Sequence, residues 1–192
     1  MRIMALTQKI EWLANQSRLF YFLVALYYKA IIRREVELAA IKPSDKILCI
    51  GGGPCPYTAI MLHQLTGAAV TVVDNNAACV QQSNALIQRL GLGKTVRIVY
   101  GEGEAVDCEG FTVIHLALQV SPKRKVLENL LARAGRGVKI LVRRPKTMVR
   151  GLYCDQESCP LLCHDYVKHN FFTNVGNTAL YVKEGLYGEA QA

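Results

Sequence analysis

The regular alternation of two kinds of segment after Pro43 constrains the fold of this chain more than any other feature. Short runs rich in β-branched residues are predicted as strands at 46–50, 69–73, 96–100, 111–116 and 138–143. Longer runs between them are predicted as helices that begin near residues 57, 77 and 122. Strands separated by single helices pair in parallel through right-handed crossovers. The pattern therefore predicts an α/β fold, a doubly wound, mostly parallel, Rossmann-like sheet with helices on both faces.

The two ends of the chain depart from this alternation. Residues 1–42 contain neither Gly nor Pro and are predicted to form a helical extension or lid in front of a core domain of residues 43–192. Near the C terminus, runs at 171–173 and 179–183 flank turn-forming Asn and Gly residues at 174–177. We expect these two runs to form a closing antiparallel hairpin.

The composition excludes several classes of protein. With 51% apolar and 20% charged residues among 192, neither a disordered nor a collagen-like chain is expected. The most apolar stretch, 19–32, is interrupted by Lys29 and is shorter than the ~20 residues of a membrane-spanning helix. Its contact with an anionic membrane surface stays open as an alternative, because arginines flank it. The odd number of cysteines, 7, and the lack of a recognisable export signal predict a cytoplasmic location.

A glycine-rich turn after the first predicted strand is the strongest functional motif. It comprises Gly51, Gly52 and Gly53, and a predicted helix follows it. Glycines at the carboxyl end of a parallel strand let the backbone approach a ligand, and the helix start offers free N–H groups. Asp74 ends the second strand, where a carboxylate can accept hydrogen bonds from both ribose hydroxyls of a nucleoside. The alternative is a turn that only closes a tight strand–helix corner.

The position of the third glycine in dinucleotide-binding turns decides which nucleoside is expected. That position is Pro56, which argues against NAD or FAD, and no Gly-Lys-Ser/Thr follows as in a P-loop. S-adenosylmethionine carries no pyrophosphate and does not need that glycine, so we predict it as the cofactor. The predicted cofactor-binding residues are Gly51, Gly52, Gly53, Pro54, Asp74, Asn75, Glu102 and Ala117, with Glu104 as an alternative to Glu102 at the adenine.

These motifs resemble those of a known family. The Gly-Gly-Gly-Pro-x-Pro-x-Thr of 51–58 is similar to the cofactor turn of the nicotianamine-synthase-like branch of class I S-adenosylmethionine-dependent transferases. Similar segments follow at 117–124, 148–153 and 177–178, so the resemblance covers most of 35–183.

The resemblance implies a methyltransferase-like fold and a specific reaction. Enzymes of this branch transfer an aminocarboxypropyl group from S-adenosylmethionine to an amine, release methylthioadenosine and build a metal chelator. A small amine or amino acid is the acceptor that this implies. Family members carry a substantial helical domain in front of the core, whereas this chain has only residues 1–42 there, which leaves the acceptor and the number of transfers open.

Candidate residues for the chemistry follow from the resemblance and from strand-end positions. The family places a glutamate on the helix before the first strand, and Glu35 matches it as the base or acceptor-amine anchor. The alternative is that Glu35 and Glu37 are solvated carboxylates paired with Arg33 and Arg34. We interpret His115, inside an apolar strand, as a buried and satisfied histidine. The predicted catalytic residues are Glu35 and Tyr153, and the predicted substrate-binding residues are Glu37, Tyr57 and Arg150.

A cysteine-containing segment near the C terminus raises the question of a metal site. Cys154, Cys159 and Cys163 are separated by four and three residues, which matches neither zinc nor haem spacing. We predict no metal, with a bound metal as the alternative.

The positive charge of the chain is concentrated in one segment. Residues 123–150 contain ten basic residues and one acid, against a net charge of +8 for the whole chain. Because no aromatic side chains alternate with them, we favour a small carboxylate-bearing acceptor over nucleic acid. Methyl transfer to a small molecule or RNA, or a non-catalytic cofactor-binding module, are the alternatives. A homodimer or partner subunit is expected to bind through the N-terminal helices.

Overall fold

Seven strands in the described part of the chain form one sheet at the centre of the molecule. The computed structural model describes residues 18–152, 163–170 and 173–183, with side chains in 28–149 and in the last two ranges. The strands are β1 (Lys46–Ile50), β2 (Ala69–Asp74), β3 (Val96–Tyr100), β4 (Val113–Leu116), β5 (Lys139–Pro145), β6 (Asp165–Lys168) and β7 (Val175–Val182). Their order is β3-β2-β1-β4-β5-β7-β6. Strands β1 to β5 are parallel, and β7 is antiparallel to both β5 and β6.

Four α-helices connect or cover these strands in the described residues. They are α1 (Arg18–Leu38), α2 (Tyr57–Thr66), α3 (Ala77–Arg89) and α4 (Lys123–Arg133), and a 3₁₀ helix spans Thr147–Leu152. Asn76 begins α3, because its side-chain oxygen accepts hydrogen bonds from the N–H groups of Ala78 and Cys79. Gly67 ends α2 in a left-handed conformation, φ 75°, that glycine adopts without strain. None of the described helices has the length and apolar character needed to cross a membrane.

The core lies on both faces of the sheet. Ile47 and Cys49 point to the face covered by α1, α2 and α3, whereas Leu48 and Ile50 point to the face covered by α4. Burial on both faces explains why the central strands are continuously apolar rather than alternating.

Helix α1 is bound to the part of the sheet where the parallel and antiparallel strands meet. Arg34 donates a hydrogen bond to the carbonyl of Lys168, the last residue of β6, at 2.7 Å, and Lys139 of β5 donates to the carbonyl of Ala39, at 2.6 Å. Residues seven apart share a helix face, so α1 presents Tyr28 and Glu35 to the same side.

The predicted fold class is confirmed, and most element boundaries agree with the prediction. Strands β1 and β3 match the predicted residues. A closing antiparallel hairpin is present, but the residues predicted for its two strands are wrong. Its strands are β6 and β7, and Gly176 and Asn177, predicted as turn residues, lie inside β7. The antiparallel pairing of Asn177 with Arg144 in β5 overrides their turn preference. The first part of the predicted helical extension, residues 1–17, and the start of the run at 171–173 lie outside the described residues.

Candidate active site

The glycine turn follows β1 and lies against β2, where bulk is excluded. Gly51 and Gly53 have φ of +85° and +63°, which side-chain-bearing residues rarely adopt. A Cβ on Gly52 would lie 2.4 Å from Cγ1 of Val72, so a side chain cannot be placed there without moving the sheet. The backbone of the turn therefore forms one wall of the cavity beside it.

The side chain of Asp74 accepts hydrogen bonds from the backbone amides of this turn. Its Oδ2 accepts hydrogen bonds from the N–H groups of Gly52 and Gly53, at 2.9 and 2.8 Å, and its Oδ1 accepts one from Asn76, at 2.9 Å. The amides that would bind a phosphate in a dinucleotide site thus already bind an internal carboxylate. Oδ2 of this half-buried carboxylate thus uses both of its lone pairs, whereas Oδ1 keeps acceptor capacity for a further hydrogen bond.

A cavity of about 310 Å³ opens at the carboxyl ends of the parallel strands. The predicted residues that line it are Gly51, Gly52, Gly53, Tyr57, Asp74, Asn75, Glu102 and Ala117, and Glu104 lines it as well. Pro54 is buried beside the turn and is not among the lining residues. The Nδ2 of Asn75 donates to Oε2 of Glu102, at 3.1 Å, so these two polar side chains are held together at one end of the cavity.

A second group of side chains forms the other side of the cavity, which we call the acceptor side: Tyr28, Tyr57, Thr58, His115 and Arg143. The rings of Tyr28 and Tyr57 are stacked, with centroids 5.6 Å apart. The guanidinium carbon of Arg143 lies 5.7 Å from the centre of the Tyr28 ring, a cation–π distance.

Glu35 lies behind the acceptor side and is fully buried. Arg143 binds it through two parallel hydrogen bonds of 2.8 Å, and the hydroxyl of Thr178 donates to it at 2.7 Å. Arg143 also donates to the hydroxyl of Thr58, at 3.0 Å. We call these four residues, with His115, the buried polar cluster. The Nε2 of His115 lies 3.3 Å from Oε2 of Glu35.

The electrostatics of the buried polar cluster fix the protonation of its members. Burial by itself raises the pKa of Glu35, but Arg143 and His115 outweigh it and hold that pKa well below its usual range. Burial and Arg143 lower the pKa of His115, so its imidazole is neutral near pH 7. Burial raises the pKa of the nearby Cys49 thiol to about 12, so this thiol is not a nucleophile.

The predicted catalytic and substrate-binding residues have different fates in the structure. Glu35 is buried and paired with Arg143, so the alternative of a solvated pair with Arg33 and Arg34 is wrong for this residue. Glu37 is exposed and does not line the cavity. Tyr153 lies outside the described residues, as do the side chain of Arg150 and the cysteines at 154 and 159. Within the described ranges, no three His, Cys, Asp or Glu side chains are grouped as metal ligands.

Several basic residues of the segment 123–150 make hydrogen bonds or ion pairs within the chain. Lys123 donates to the carbonyls of Leu118 and Arg143, which joins the end of β4 to β5. Arg124 pairs with Glu128, and Lys125 pairs with Glu104. Lys139 and Lys146 donate to the carbonyls of Ala39 and Asn170, and Arg144 donates to the hydroxyl of Tyr181. Much of the local charge therefore stabilises the fold.

A comparison with protein families matches residues 19–183 to the nicotianamine synthase protein family. This range is more than half of the chain. The chain belongs to the nicotianamine synthase family. The resemblance noted in the sequence is thereby confirmed.

Known proteins of this family and fold are similar to the chain over different shares of their length. L-histidine 2-aminobutanoyltransferase of Yersinia pestis is 30% identical over 131 residues, which are 67% of this chain and 49% of that protein. The chain thus spans about half the length of that relative. A variant of MtNAS in complex with S-adenosylmethionine superposes with a TM-score of 0.80 at 23% identity, over 93% of this chain and 74% of that one. MtNAS in complex with MTA and tNA gives a TM-score of 0.78 at 23% identity, over 93% and 70%.

Family membership does not by itself reveal the acceptor side. Sequence reasoning missed Tyr28, Arg143 and Thr178 as site residues and set His115 aside. The one available indication was a polar residue inside an apolar strand, His115 in β4 and Arg143 in β5. Nothing in the local sequence indicated that both strands would meet Glu35 of α1.

Proposed function

We propose that this member of the nicotianamine synthase family transfers the aminocarboxypropyl group of S-adenosylmethionine to the amine of a small amino-acid acceptor. The observation that carries the proposal is the Asp74 carboxylate bound to the amides of Gly52 and Gly53. Family membership supports the reaction type.

The cofactor side of the cavity fits a nucleoside that lacks a phosphate. A phosphate placed at the glycine turn would meet the charge of Asp74 instead of free N–H groups, and like charges at hydrogen-bonding distance repel. A ribose instead finds a carboxylate with spare acceptor capacity. Asn75 and Glu102 add polar groups at the same end of the cavity. S-adenosylmethionine meets these conditions, whereas NAD and FAD do not.

Bound S-adenosylmethionine supplies an electrophilic carbon next to its sulfonium. The protein must hold the acceptor nitrogen in line with the breaking carbon–sulfur bond and must remove a proton. Three of the five guanidinium N–H groups of Arg143 bind Glu35 and Thr58, which leaves two for a ligand. We propose Arg143 as the anchor for an acceptor carboxylate. This role replaces our expectation for Glu37, and that for Arg150 stays a prediction.

We propose that Glu35 positions other groups and is not itself the base. Its oxygens accept three hydrogen bonds in the described structure, and it is not among the residues that line the cavity. A carboxylate held in this way resists protonation. The catalytic role predicted for Tyr153 also stays a prediction.

An amino acid suits the acceptor side better than a nucleic acid does. The cavity of about 310 Å³ is the size of a small-molecule site. The relative from Yersinia pestis is named for transfer to L-histidine, which makes L-histidine the first acceptor to test. Several basic side chains that would contact phosphates instead bind carbonyls within the chain.

We also propose a cytoplasmic location and association through helix α1. Cys49, Cys55, Cys79 and Cys108 are buried and in no disulfide, which supports a reducing compartment. A second copy or a partner subunit would cover the apolar run at 19–28, and analytical ultracentrifugation would show a species heavier than 21.3 kDa.

The nucleoside product of turnover tests the proposed function. The protein is incubated with S-adenosylmethionine and each amino acid, starting with L-histidine, and the nucleosides are separated by chromatography. Methylthioadenosine is the expected product. S-adenosylhomocysteine would instead indicate methyl transfer, and the absence of both together with tight S-adenosylmethionine binding would indicate a non-catalytic module.

A further inference from the structure

We propose that His115 is the residue that accepts the proton lost by the acceptor amine, and that Glu35 acts through it as a positioning residue. This inference rests on the proposed function and names the base of the same site. It reverses our sequence-based interpretation of His115 as a satisfied core residue.

The position of His115 is unusual for a buried histidine. Its side chain is 1% exposed and belongs to the wall of the cavity. Its strand neighbours Cys49 and Leu141 flank it in register within the sheet. Its Nε2 finds no well-aligned hydrogen-bond partner among the described residues and lies 3.3 Å from Oε2 of Glu35. A buried polar atom that has only a long contact with a carboxylate is unusual in a protein core, so this position favours a function over a packing role.

The other titratable groups on the acceptor side are poorer bases. Glu35 is held by Arg143 and Thr178, and its low pKa makes it a weak proton acceptor. The Cys49 thiol stays protonated, because burial raises its pKa to about 12. Arg143 is a permanent cation whose pKa is raised by Glu35 despite burial.

Titratable and charged groups face His115 from each element packed against it. Glu35 approaches from α1, Arg143 from β5 and Cys49 from β1. His169, after β6, reaches the buried polar cluster through Thr178, which its Nε2 contacts at 2.8 Å. Burial and Arg143 lower the pKa of His115 more than Glu35 raises it, so the imidazole is neutral before the reaction. Once it is protonated, the carboxylate 3.3 Å away stabilises the imidazolium.

The proton and the electrons of the step balance without any further reactant. The lone pair of the acceptor nitrogen forms a bond to the donor carbon. The electron pair of the broken carbon–sulfur bond stays on sulfur, and neutral methylthioadenosine leaves. The nitrogen gains one carbon and gives up one proton. Nε2 of the neutral imidazole faces the Glu35 carboxylate and keeps its hydrogen, so the proton passes to Nδ1 of His115 and later to solvent. Proton transfer of this kind contributes typically 10²–10⁴-fold to a rate.

The test compares His115→Gln with His63→Gln. Gln keeps a polar side chain but cannot carry the proton, and His63 lies outside the cavity lining. With S-adenosylmethionine and L-histidine at saturation, we expect His115→Gln to lower kcat about 10²–10³-fold and His63→Gln to change it less than about twofold. Binding of S-adenosylmethionine by calorimetry should change less than about threefold in either variant.

The pH dependence separates a base from a structural residue. The wild type should lose activity as the pH falls through the lowered pKa of His115, because the imidazolium cannot accept a proton. His115→Gln should lack this acid limb. Nuclear magnetic resonance of the imidazole, recorded with methylthioadenosine bound, should show His115 titrating at the pH of the kinetic limb.

Three outcomes would overturn the inference. The first is a His115→Gln variant with at least half of the wild-type rate and an unchanged pH profile. The second is a loss of S-adenosylmethionine affinity as large as the loss of rate, which would make His115 a binding residue. If the wild type forms no methylthioadenosine with any amino acid, the proposed function fails together with this inference. In the first two outcomes the proposed function survives.

Discussion

The two sides of the cavity are built in different ways. On the cofactor side, the decisive hydrogen bonds join Asp74 to Gly52 and Gly53, which are 22 and 21 residues away in the chain. Behind the acceptor side, Glu35 binds Arg143 and Thr178, which are 108 and 143 residues away. The glycine turn and Asp74 thus belong to one strand–turn–helix–strand unit, whereas the buried polar cluster forms only after α1, β5 and β7 have assembled. Substitutions on the acceptor side should therefore affect folding as well as catalysis, and substitutions on the cofactor side should mainly affect ligand binding.

The largest effect is expected from Glu35→Ala. It leaves the guanidinium of Arg143 buried without its carboxylate, which costs about 3–5 kcal/mol of unfolding free energy. Urea denaturation followed by circular dichroism measures this loss. The double variant Glu35→Leu with Arg143→Met, which removes both charges, should recover most of it. A loss below about 1 kcal/mol in the single variant would show that the pair does not hold α1 to the sheet.

On the cofactor side, Asp74→Ala should weaken S-adenosylmethionine binding with a smaller effect on folding. Hydrogen bonds to a charged group contribute about 1.5–3 kcal/mol, which corresponds to a roughly tenfold to hundredfold loss of affinity. Isothermal titration calorimetry measures it, and Asp107→Ala, an exposed carboxylate outside the cavity, is the control. Equal affinities of the two variants would remove Asp74 from the cofactor site.

Tyr28→Leu should weaken acceptor binding and leave S-adenosylmethionine binding unchanged, with a smaller effect than that of Asp74→Ala. The variant loses the stack on Tyr57 and the contact with Arg143, which together contribute about 1 kcal/mol. We expect the KM for the acceptor to rise roughly fivefold while S-adenosylmethionine affinity stays unchanged, as measured by steady-state kinetics and calorimetry. The exposed Tyr100 provides the matched control, Tyr100→Leu. A change confined to S-adenosylmethionine affinity would place Tyr28 on the cofactor side.

A pH dependence of stability is expected from His169, which contacts Thr178 of the buried polar cluster. Burial lowers the pKa of His169 from 6.5 to about 4. Below pH 6.5 the unfolded chain binds a proton that the folded chain does not bind until about pH 4. The unfolding free energy should therefore rise with pH between about pH 4 and pH 6.5. Above pH 6.5, His169 should no longer contribute to the pH dependence. In His169→Gln the rise of the unfolding free energy with pH should be shallower. Parallel pH profiles of the wild type and the variant would contradict this prediction.

The difference between the two sides also explains what the sequence could predict. The strand, the turn of Gly51 to Gly53 and the carboxylate of Asp74 follow from local patterns, because each depends on neighbours within one βαβ unit. The acceptor side depends on the register of β5 with β7, which places Thr178 opposite Arg143. It also depends on α1 placing Glu35 beside both residues. No local pattern encodes these contacts, so Glu35 was predicted as a base while its partner Arg143 was missed.

The transferred group tests the proposed function most directly. S-adenosylmethionine is prepared in two forms, labelled in the methyl carbon or in the carboxyl carbon, and each is incubated with the protein and L-histidine or the best acceptor found. We expect the carboxyl label to appear in the acceptor and the methyl label to remain in methylthioadenosine. Appearance of the methyl label in the acceptor, with the carboxyl label left in S-adenosylhomocysteine, would contradict aminocarboxypropyl transfer.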